Sequence, residues 1–160
     1  MPDLAQGDPA PAFDLPTDAG GRVSLDQLRG KTVVLYFYPK DDTSGCTAEA
    51  IAFSGLKAEF NAANAVVIGI SKDTAKSHDR FVAKYELTVR LASDESGAAC
   101  EAYGVWVEKS MYGRKYMGVE RATFLIGPDG AVERVWRKVK VPGHAQAVLD
   151  AARSMNESAE

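Results

Sequence analysis

The chain has 160 residues, 46% hydrophobic and 26% charged, which predicts one folded domain over residues 1–160 with an ordinary hydrophobic core. A formal net charge of -3 gives no field that would attract nucleic acid or an anionic membrane. No apolar run approaches the roughly 20 residues of a membrane span and no signal-peptide pattern opens the chain, so we expect a cytoplasmic protein. Residues 1–11 and 156–160 lack an apolar pattern and are expected to fray.

The front of the chain predicts a small hairpin followed by a buried strand. Short apolar runs at residues 13–15 and 23–25 flank a pair of glycines, and residues 26–28 favour a short helical turn. Residues 32–38 (TVVLYFY) then form a continuous β-branched and aromatic run, which is typical of a strand buried on both faces. We expect this strand in the middle of a sheet.

The middle of the chain alternates between helical and strand patterns. A helix is predicted ahead of residues 65–71 (AVVIGIS), which form a second buried-strand run. The apolar residues that define this helix are Ala52, Phe53, Leu56 and Phe60. Strand, helix and strand in this order predict parallel pairing through a right-handed crossover.

A second helix and a shorter strand follow. Asp73 or Thr74 is the expected N-cap of this helix, and the strand covers about residues 89–92. One helix face carries Phe81, Val82 and Tyr85. A brief helical stretch is then expected over residues 97–103.

The last third of the chain predicts a hairpin and a final helix. Residues 122–126 and 131–136 flank the turn sequence GPDG, which favours a β-hairpin. The final helix is expected over about residues 142–155. The residues available to cover the sheet are Ala147, Leu149 and Ala151 or Ala152. Together these elements predict an α/β fold with a mixed central sheet and helices on both faces.

The most informative segment follows the first buried strand and reads PKDDTSGCTAE from Pro39 to Glu49. It places Cys46 in the first turn of the next helix, at the carboxyl edge of the sheet, where ligands gather in open α/β folds. Free backbone N–H groups and the helix dipole favour the nucleophilic thiolate there. Thr43 could hydrogen-bond near the sulfur, and Pro39 could stiffen the loop and shield it from water. Alternatively, Thr43 or Ser44 is only a helix N-cap and Cys46 a small buried residue.

This segment resembles the active-site pattern P-x-x-x-T/S-x-x-C of the peroxiredoxins, and FYPKDDTSGCT is close to their Q-type, or bacterioferritin-comigratory, branch. The likeness continues at residues 102–106 (AYGVW), 111–113 (MYG) and 118–126 (GVERATFLI), and so covers nearly the whole chain. The resemblance implies a thioredoxin-like fold and a thiol-dependent peroxidase.

The resemblance also implies that Cys46 is the peroxidatic cysteine and that Pro39, Thr43 and Arg121 complete its pocket. Arg121 is chosen for its place just before a predicted strand, because spacing alone leaves the basic pair at residues 114–115 as competitors. A guanidinium beside the sulfur would stabilise the thiolate and bind the peroxide oxygens. The sulfur would attack the distal oxygen of hydrogen peroxide or an organic hydroperoxide and become a sulfenic acid.

Glu49 lies one turn beyond Cys46 in the predicted helix. It could hold Arg121 in place as a supporting carboxylate. An exposed helix glutamate without such a role is the plainer interpretation, and both possibilities stay open.

The chain departs from the family at the thiol that would recycle the sulfenic acid. Many Q-type members carry a resolving cysteine where this sequence has Ile51, and a second group carries it in the next helix, where this sequence has Val82. Only Cys100 remains, and a buried, inert cysteine is a commoner interpretation of it than a resolving one. We therefore expect a one-cysteine enzyme, a monomer or weak homodimer, that takes electrons from thioredoxin, glutaredoxin or a low-molecular-weight thiol.

Two other functions remain as alternatives. Without a resolving thiol, Cys46 could serve a peroxide-sensing redox relay that oxidises without rapid turnover. A cysteine hydrolase would need a histidine base beside the thiol, but His78 and His144 are expected in solvated positions. The sequence has no metal-ligand spacing of Cys and His, no C-x-x-C dithiol and no glycine-rich phosphate loop, so no metal or other cofactor is expected.

Overall fold

The computed structural model describes residues 4–158, so the fraying predicted for residues 1–3 and 159–160 falls outside the described residues. The strands are β1 (Asp14–Pro16), β2 (Arg22–Ser24), β3 (Thr32–Phe37), β4 (Ala65–Ser71), β5 (Arg90–Ser93), β6 (Trp106–Met111), β7 (Arg114–Val119), β8 (Ala122–Ile126) and β9 (Val132–Trp136). The α-helices are α1 (Ser44–Gly55), α2 (Lys57–Ala62), α3 (Ala75–Tyr85), α4 (Ala98–Ala102) and α5 (His144–Ser158). None of the helices in the described range has the length and apolarity that a bilayer span requires.

The segment before the first strand is held in place, contrary to the predicted fraying. The backbone N–H of Gly7 donates to the carbonyl of Val132 at 2.7 Å, and the N–H of Val132 donates to the carbonyl of Asp8 at 2.8 Å. The N–H of Ala10 donates to the carbonyl of Gly130 at 2.9 Å. These bonds tie the segment to the β8–β9 hairpin, which satisfies backbone groups that would otherwise need water.

The central sheet has five strands in the order β5-β4-β3-β8-β9. β3 pairs in parallel with β4 and antiparallel with β8, so the sheet is mixed and β3 is its middle strand, as its continuous apolar run predicts. The parallel β3–β4 pair confirms the pairing predicted for the strand–helix–strand unit. β4 and β5 are also parallel. β8 and β9 are antiparallel, and Gly130 N–H closes their turn by donating to the Gly127 carbonyl at 2.9 Å.

Successive side chains of β3 alternate between two separate hydrophobic cores. Val33, Leu35 and Phe37 face a core that α4 and the β1–β2 hairpin cover. Val34 and Tyr36 face a second core that α1, α2, α3 and α5 cover. Helices therefore cover both faces of a mixed sheet, which confirms the predicted fold class.

Three local predictions differ from the structure. The helix predicted across residues 52–60 is divided into α1 and α2, because the backbone leaves helical angles at Leu56 (φ -106°, ψ 10°). The β6–β7 hairpin has no counterpart among the predicted elements, because most of its side chains are exposed and its strands lack an apolar alternation. α5 begins at His144, slightly later than predicted, and Val148 fills the core where Ala147 was expected but is exposed.

Candidate active site

Cys46 occupies the first turn of α1, directly after the loop that follows β3. Its side chain is 1% exposed and belongs to the core beneath α1. The first intrahelical bond runs from Thr47 N–H to the Thr43 carbonyl at 2.8 Å, so the N–H groups of residues 44–46 precede the helical ladder. The first turn of α1 thus places Cys46 at the positive end of the helix dipole.

Sheet register brings Arg121 to the same place. Ala122 pairs with Phe37 at the carboxyl end of β3, so the residue before Ala122 lies beside the loop that leads into α1. Arg121 Nη2 donates to Cys46 Sγ at 3.3 Å. The basic competitors at residues 114–115 are exposed at the β6–β7 turn. The structure thus brings together Arg121 and the sulfur, as the resemblance predicts.

The guanidinium of Arg121 also binds Glu49. Arg121 Nη1 donates to Glu49 Oε1 at 2.6 Å, and the Glu49 side chain is 1% exposed. The interpretation of Glu49 as an exposed helix residue is therefore wrong, because α1 turns this position toward the core together with Cys46. Burial raises the pKa of Glu49 to about 7, although Arg121 acts in the opposite direction.

Arg121 stays charged in this pocket. Burial alone would lower the pKa of its guanidinium, but the neighbouring Glu49 and Cys46 raise it above its ordinary value. Gly45 permits the close approach, since a Cβ at this position would lie 3.0 Å from Arg121 Nη2. Gly45 is a site residue that the sequence pattern did not single out, although its place directly before Cys46 is a usable signal.

The two remaining residues of the predicted pocket belong to the loop between β3 and α1. Thr43 is the N-cap of α1, and its hydroxyl donates to the Lys40 carbonyl at 2.9 Å. Its proton is therefore used to shape the loop, and its lone pairs remain able to accept a hydrogen bond. Pro39 is half-buried at the start of the loop, where its ring restricts the backbone.

Cys100 lies on the other side of the central sheet. It belongs to the core beneath α4, whereas Cys46 belongs to the core beneath α1. Its backbone N–H donates to Asp94 Oδ2 at 2.8 Å. Burial, followed by the hydrogen bond with Asp94, raises the pKa of the Cys100 thiol well above its ordinary value. A protonated thiol is a poor nucleophile, so this environment favours the inert interpretation.

Both histidines are buried, so the prediction that they are solvated is wrong. His78 is 0% exposed, and its two ring nitrogens contact Asp41 Oδ2 and the Ala92 carbonyl. His144 contacts the Thr123 hydroxyl at 2.8 Å, and burial, followed by the charge of Arg121, lowers its pKa to about 4. Within the described residues, neither histidine makes a polar contact with the Cys46 thiol. A cysteine hydrolase needs a histidine base beside its thiol, so this site does not support that function.

A family model described as the AhpC/TSA family matches residues 6–135, a span that contains Cys46, Glu49 and Arg121. The chain belongs to the AhpC/TSA family. A protein named putative peroxiredoxin bcp from Coxiella burnetii is 52% identical over 143 residues, which cover 89% of this chain and 95% of the relative.

Solved peroxiredoxin structures agree with the fold as well. A Xanthomonas campestris structure, described as giving insights into the alkyl peroxide reduction activity of bacterioferritin comigratory protein, is 45% identical with a TM-score of 0.86, and covers 90% of this chain and 92% of its own. Two structures of peroxiredoxin Q from the same organism, each a cysteine-to-serine mutant, have TM-scores of 0.89 and identities of 43% and 44%. They cover 97% and 96% of this chain and 99% of their own.

These likenesses define the class of the protein. It is a peroxiredoxin of the Bcp, or Q, type, with a thioredoxin-like fold, and an enzyme of the peroxidase class. The two replaced cysteines of the Xanthomonas protein are as far apart in sequence as Cys46 and Val82 are in this peroxiredoxin. If Cys46 corresponds to the first of these replaced cysteines, this spacing places Val82 at the position of the other.

Proposed function

We propose that the thiolate of Cys46 reduces hydrogen peroxide and organic hydroperoxides. The observation that carries the proposal is the 3.3 Å contact between Arg121 Nη2 and Cys46 Sγ. A permanently charged guanidinium stabilises negative charge on the sulfur, and its planar donors can also bind the peroxide oxygens. The alkyl peroxide activity ascribed to the Xanthomonas relative supports including organic hydroperoxides among the substrates.

In the first half of the cycle, the sulfur attacks the distal peroxide oxygen and the O–O bond breaks. The transferred oxygen keeps its hydrogen, so the sulfur becomes a sulfenic acid. The leaving oxygen takes the bonding electrons, gains a proton from water and departs as water or an alcohol. Donors from Arg121 and the Cys46 backbone N–H stabilise the charge that develops on this oxygen, with Thr43 and Pro39 shaping the pocket.

In the second half, an external thiol condenses with the sulfenic acid and releases water, and another thiol then reduces the mixed disulfide. The support for an external thiol is positional, since Ile51 and Val82 occupy the family's resolving positions and Cys100 lies in the opposite core. Thioredoxin, glutaredoxin and low-molecular-weight thiols are the candidate reductants. We further propose a single domain over residues 1–160 that acts as a monomer or weak homodimer in the cytoplasm, where such thiols keep the cysteine reduced.

The absence of a cysteine at positions 51 and 82 also favours one alternative function. In this alternative, a peroxide-sensing relay, Cys46 is oxidised once and passes the oxidation to a partner. Steady-state peroxide consumption with each reductant in turn separates the two functions. The enzyme proposal expects multiple turnovers per chain with at least one reductant and none after Cys46→Ser. Oxidation by a single equivalent, with no turnover under any of the reductants, would favour the relay.

A further inference from the structure

The loop between β3 and α1 is anchored by a buried carboxylate. Asp41 accepts hydrogen bonds from Tyr38 Oη at 2.6 Å and from Ser77 Oγ at 2.8 Å, and it contacts His78 Nδ1 at 2.7 Å. Its own backbone N–H donates to Asp73 Oδ2 at 2.9 Å. The loop is therefore bonded to α3 and to the end of β4 as well as to its own strand.

The contacts of His78 favour the protonated form of its ring. Nε2 lies 3.0 Å from the Ala92 carbonyl, which can only accept a hydrogen bond. Nδ1 faces Asp41 Oδ2, whose carboxylate already accepts from two hydroxyl groups. We infer that both ring nitrogens donate, which is the pattern of an imidazolium paired with the Asp41 carboxylate inside the protein.

The position of the sulfur depends on this loop. Cys46 and Arg121 belong to different elements: Cys46 lies on α1 after the loop, and Arg121 lies directly before β8, where sheet register places it. β8 is fixed by its ladder with β3. The start of α1 is held by the loop of residues 38–43, and the rest of the helix by core packing and by the Glu49–Arg121 ion pair. A second set of contacts, from Lys84 and Tyr85 to Asp42, is exposed to solvent and contributes little to holding the loop. Removing one partner of a buried pair is costly, because it leaves the other charge buried without a partner.

We propose that the buried His78–Asp41 pair positions Cys46 for peroxide reduction by fixing the loop that carries the sulfur to Arg121. The inference rests on the proposed role of Cys46. Within the described residues, the polar contacts of the pair go to Tyr38 after β3, to Asp73 after β4, to α3 and to β5. Both members are therefore positioning residues that act through the loop.

The pair makes this positioning depend on pH. The ring of His78 faces Tyr38 from the end of β3, Asp41 from the loop and, by charge, Asp73 after β4. Burial alone would lower the pKa of His78, but the contacts with Asp41, the Ala92 carbonyl and Asp73 raise it. A raised pKa means that the His78 imidazolium is present below the ordinary pKa of histidine and is lost as pH rises through the folded-state pKa of His78.

Selective ¹⁵N-histidine labelling tests the protonation state in the unmodified protein, because the chain has only two histidines. At neutral pH the spectrum should contain one imidazolium, assigned by its loss in His78→Gln, and one neutral ring from His144, whose pKa is lowered to about 4. Two neutral rings at neutral pH would overturn the proposal.

Single-turnover peroxide kinetics test the positioning role. His78→Gln and Asp41→Asn should each lower the second-order rate constant by about tenfold or more, since small displacements of reacting atoms are costly. The control is Asp42→Asn, which makes the same charge change one residue along but on the exposed side of the loop. The ratio of wild type to His78→Gln should shrink as pH rises through the titration seen in the ¹⁵N spectrum.

Wild-type rates in both variants, or a ratio that stays constant across the titration, would overturn the positioning role. Circular dichroism shows whether each variant is folded. If His78→Gln does not fold, the rate constant of Asp41→Asn, which keeps the side-chain shape, tests the positioning role instead. Cys46→Ser is measured in parallel. If Cys46→Ser retains the wild-type rate, the proposed function itself fails. If Cys46→Ser loses the reaction while His78→Gln keeps the wild-type rate, only the positioning role of the His78–Asp41 pair is rejected.

Discussion

Arg121 donates to the sulfur of Cys46 across 75 positions of sequence, at 3.3 Å. The contact exists because β8 runs antiparallel to β3 and places Ala122 opposite Phe37, at the edge where α1 begins. The contact between the guanidinium and the thiol therefore depends on sheet register as well as on the local PKDDTSGC motif. A motif without the correct strand pairing would have a cysteine at a helix start but no guanidinium beside it.

Removing the guanidinium should slow the reaction with peroxide strongly. Arg121→Met keeps much of the side-chain volume but removes both donors, and we expect the second-order rate constant to fall about a hundredfold. Arg121→Lys keeps the charge but not the planar fork that reaches both the sulfur and Glu49, so a loss of about tenfold is expected. Stopped-flow tryptophan fluorescence measures these rates.

Arg114→Met is the matched control for Arg121→Met, since Arg114 is exposed in the β6–β7 hairpin. It should leave the rate constant unchanged. Equal losses from the two substitutions would contradict the assignment of Arg121, because they would point to general surface charge instead of a contact with the sulfur.

Glu49 should make stability fall with pH over a defined range. Its pKa is raised from 4.5 to about 7 in the folded protein, mainly by burial, so the folded state holds a proton that the unfolded state has already released. The free energy of unfolding should decrease from about pH 4.5 to about pH 7, by an amount on the order of 3 kcal/mol.

Urea unfolding of wild type and Glu49→Gln at both ends of this range isolates the effect. Other titrating groups, including His78, are common to both proteins and cancel in the difference. Glu49→Gln should gain stability relative to wild type as pH rises, because glutamine has no charge to desolvate. A difference between the two proteins that does not change with pH would contradict the raised pKa.

The local parts of the site could be predicted from sequence, and the parts created by packing could not. The buried strand and Cys46 at the start of the next helix follow from apolar runs and turn residues. Arg121 could not be chosen by spacing, since only strand register selects it. The burial of Glu49 and His78 was missed because polar residues in helices give no sign of facing a core when their partners come from distant elements. The β6–β7 hairpin was missed because its exposed strands have little apolar pattern.

Cys100 should take no part in turnover. After one equivalent of peroxide, intact mass should increase by about 16 Da for a sulfenic acid, in wild type and in Cys100→Ser alike. The physical reason is the central sheet, which separates the cores that contain Cys46 and Cys100. A loss of about 2 Da in wild type that Cys100→Ser abolishes would indicate an internal disulfide and contradict the one-cysteine proposal.

A single substitution should restore an internal resolving thiol. Val82 packs against the core that contains Cys46, and it follows Cys46 by the same number of residues that separates the two replaced cysteines of the Xanthomonas relative. Val82→Cys should therefore form a disulfide with Cys46 after peroxide treatment, seen as a loss of about 2 Da. The control is Ala83→Cys, at an exposed position of the same helix. Sulfenic acid without a disulfide in Val82→Cys would mean that α3 cannot bring this position to the sulfur.

The most direct test of the central claim is the single-turnover reaction of reduced protein with hydrogen peroxide, compared among wild type, Cys46→Ser and Cys100→Ser. The account predicts that wild type and Cys100→Ser react at the same rate, orders of magnitude faster than free cysteine, and that Cys46→Ser does not react at all. Retention of the fast reaction in Cys46→Ser, or its loss in a folded Cys100→Ser, would contradict the assignment of Cys46 as the peroxide-reducing thiol.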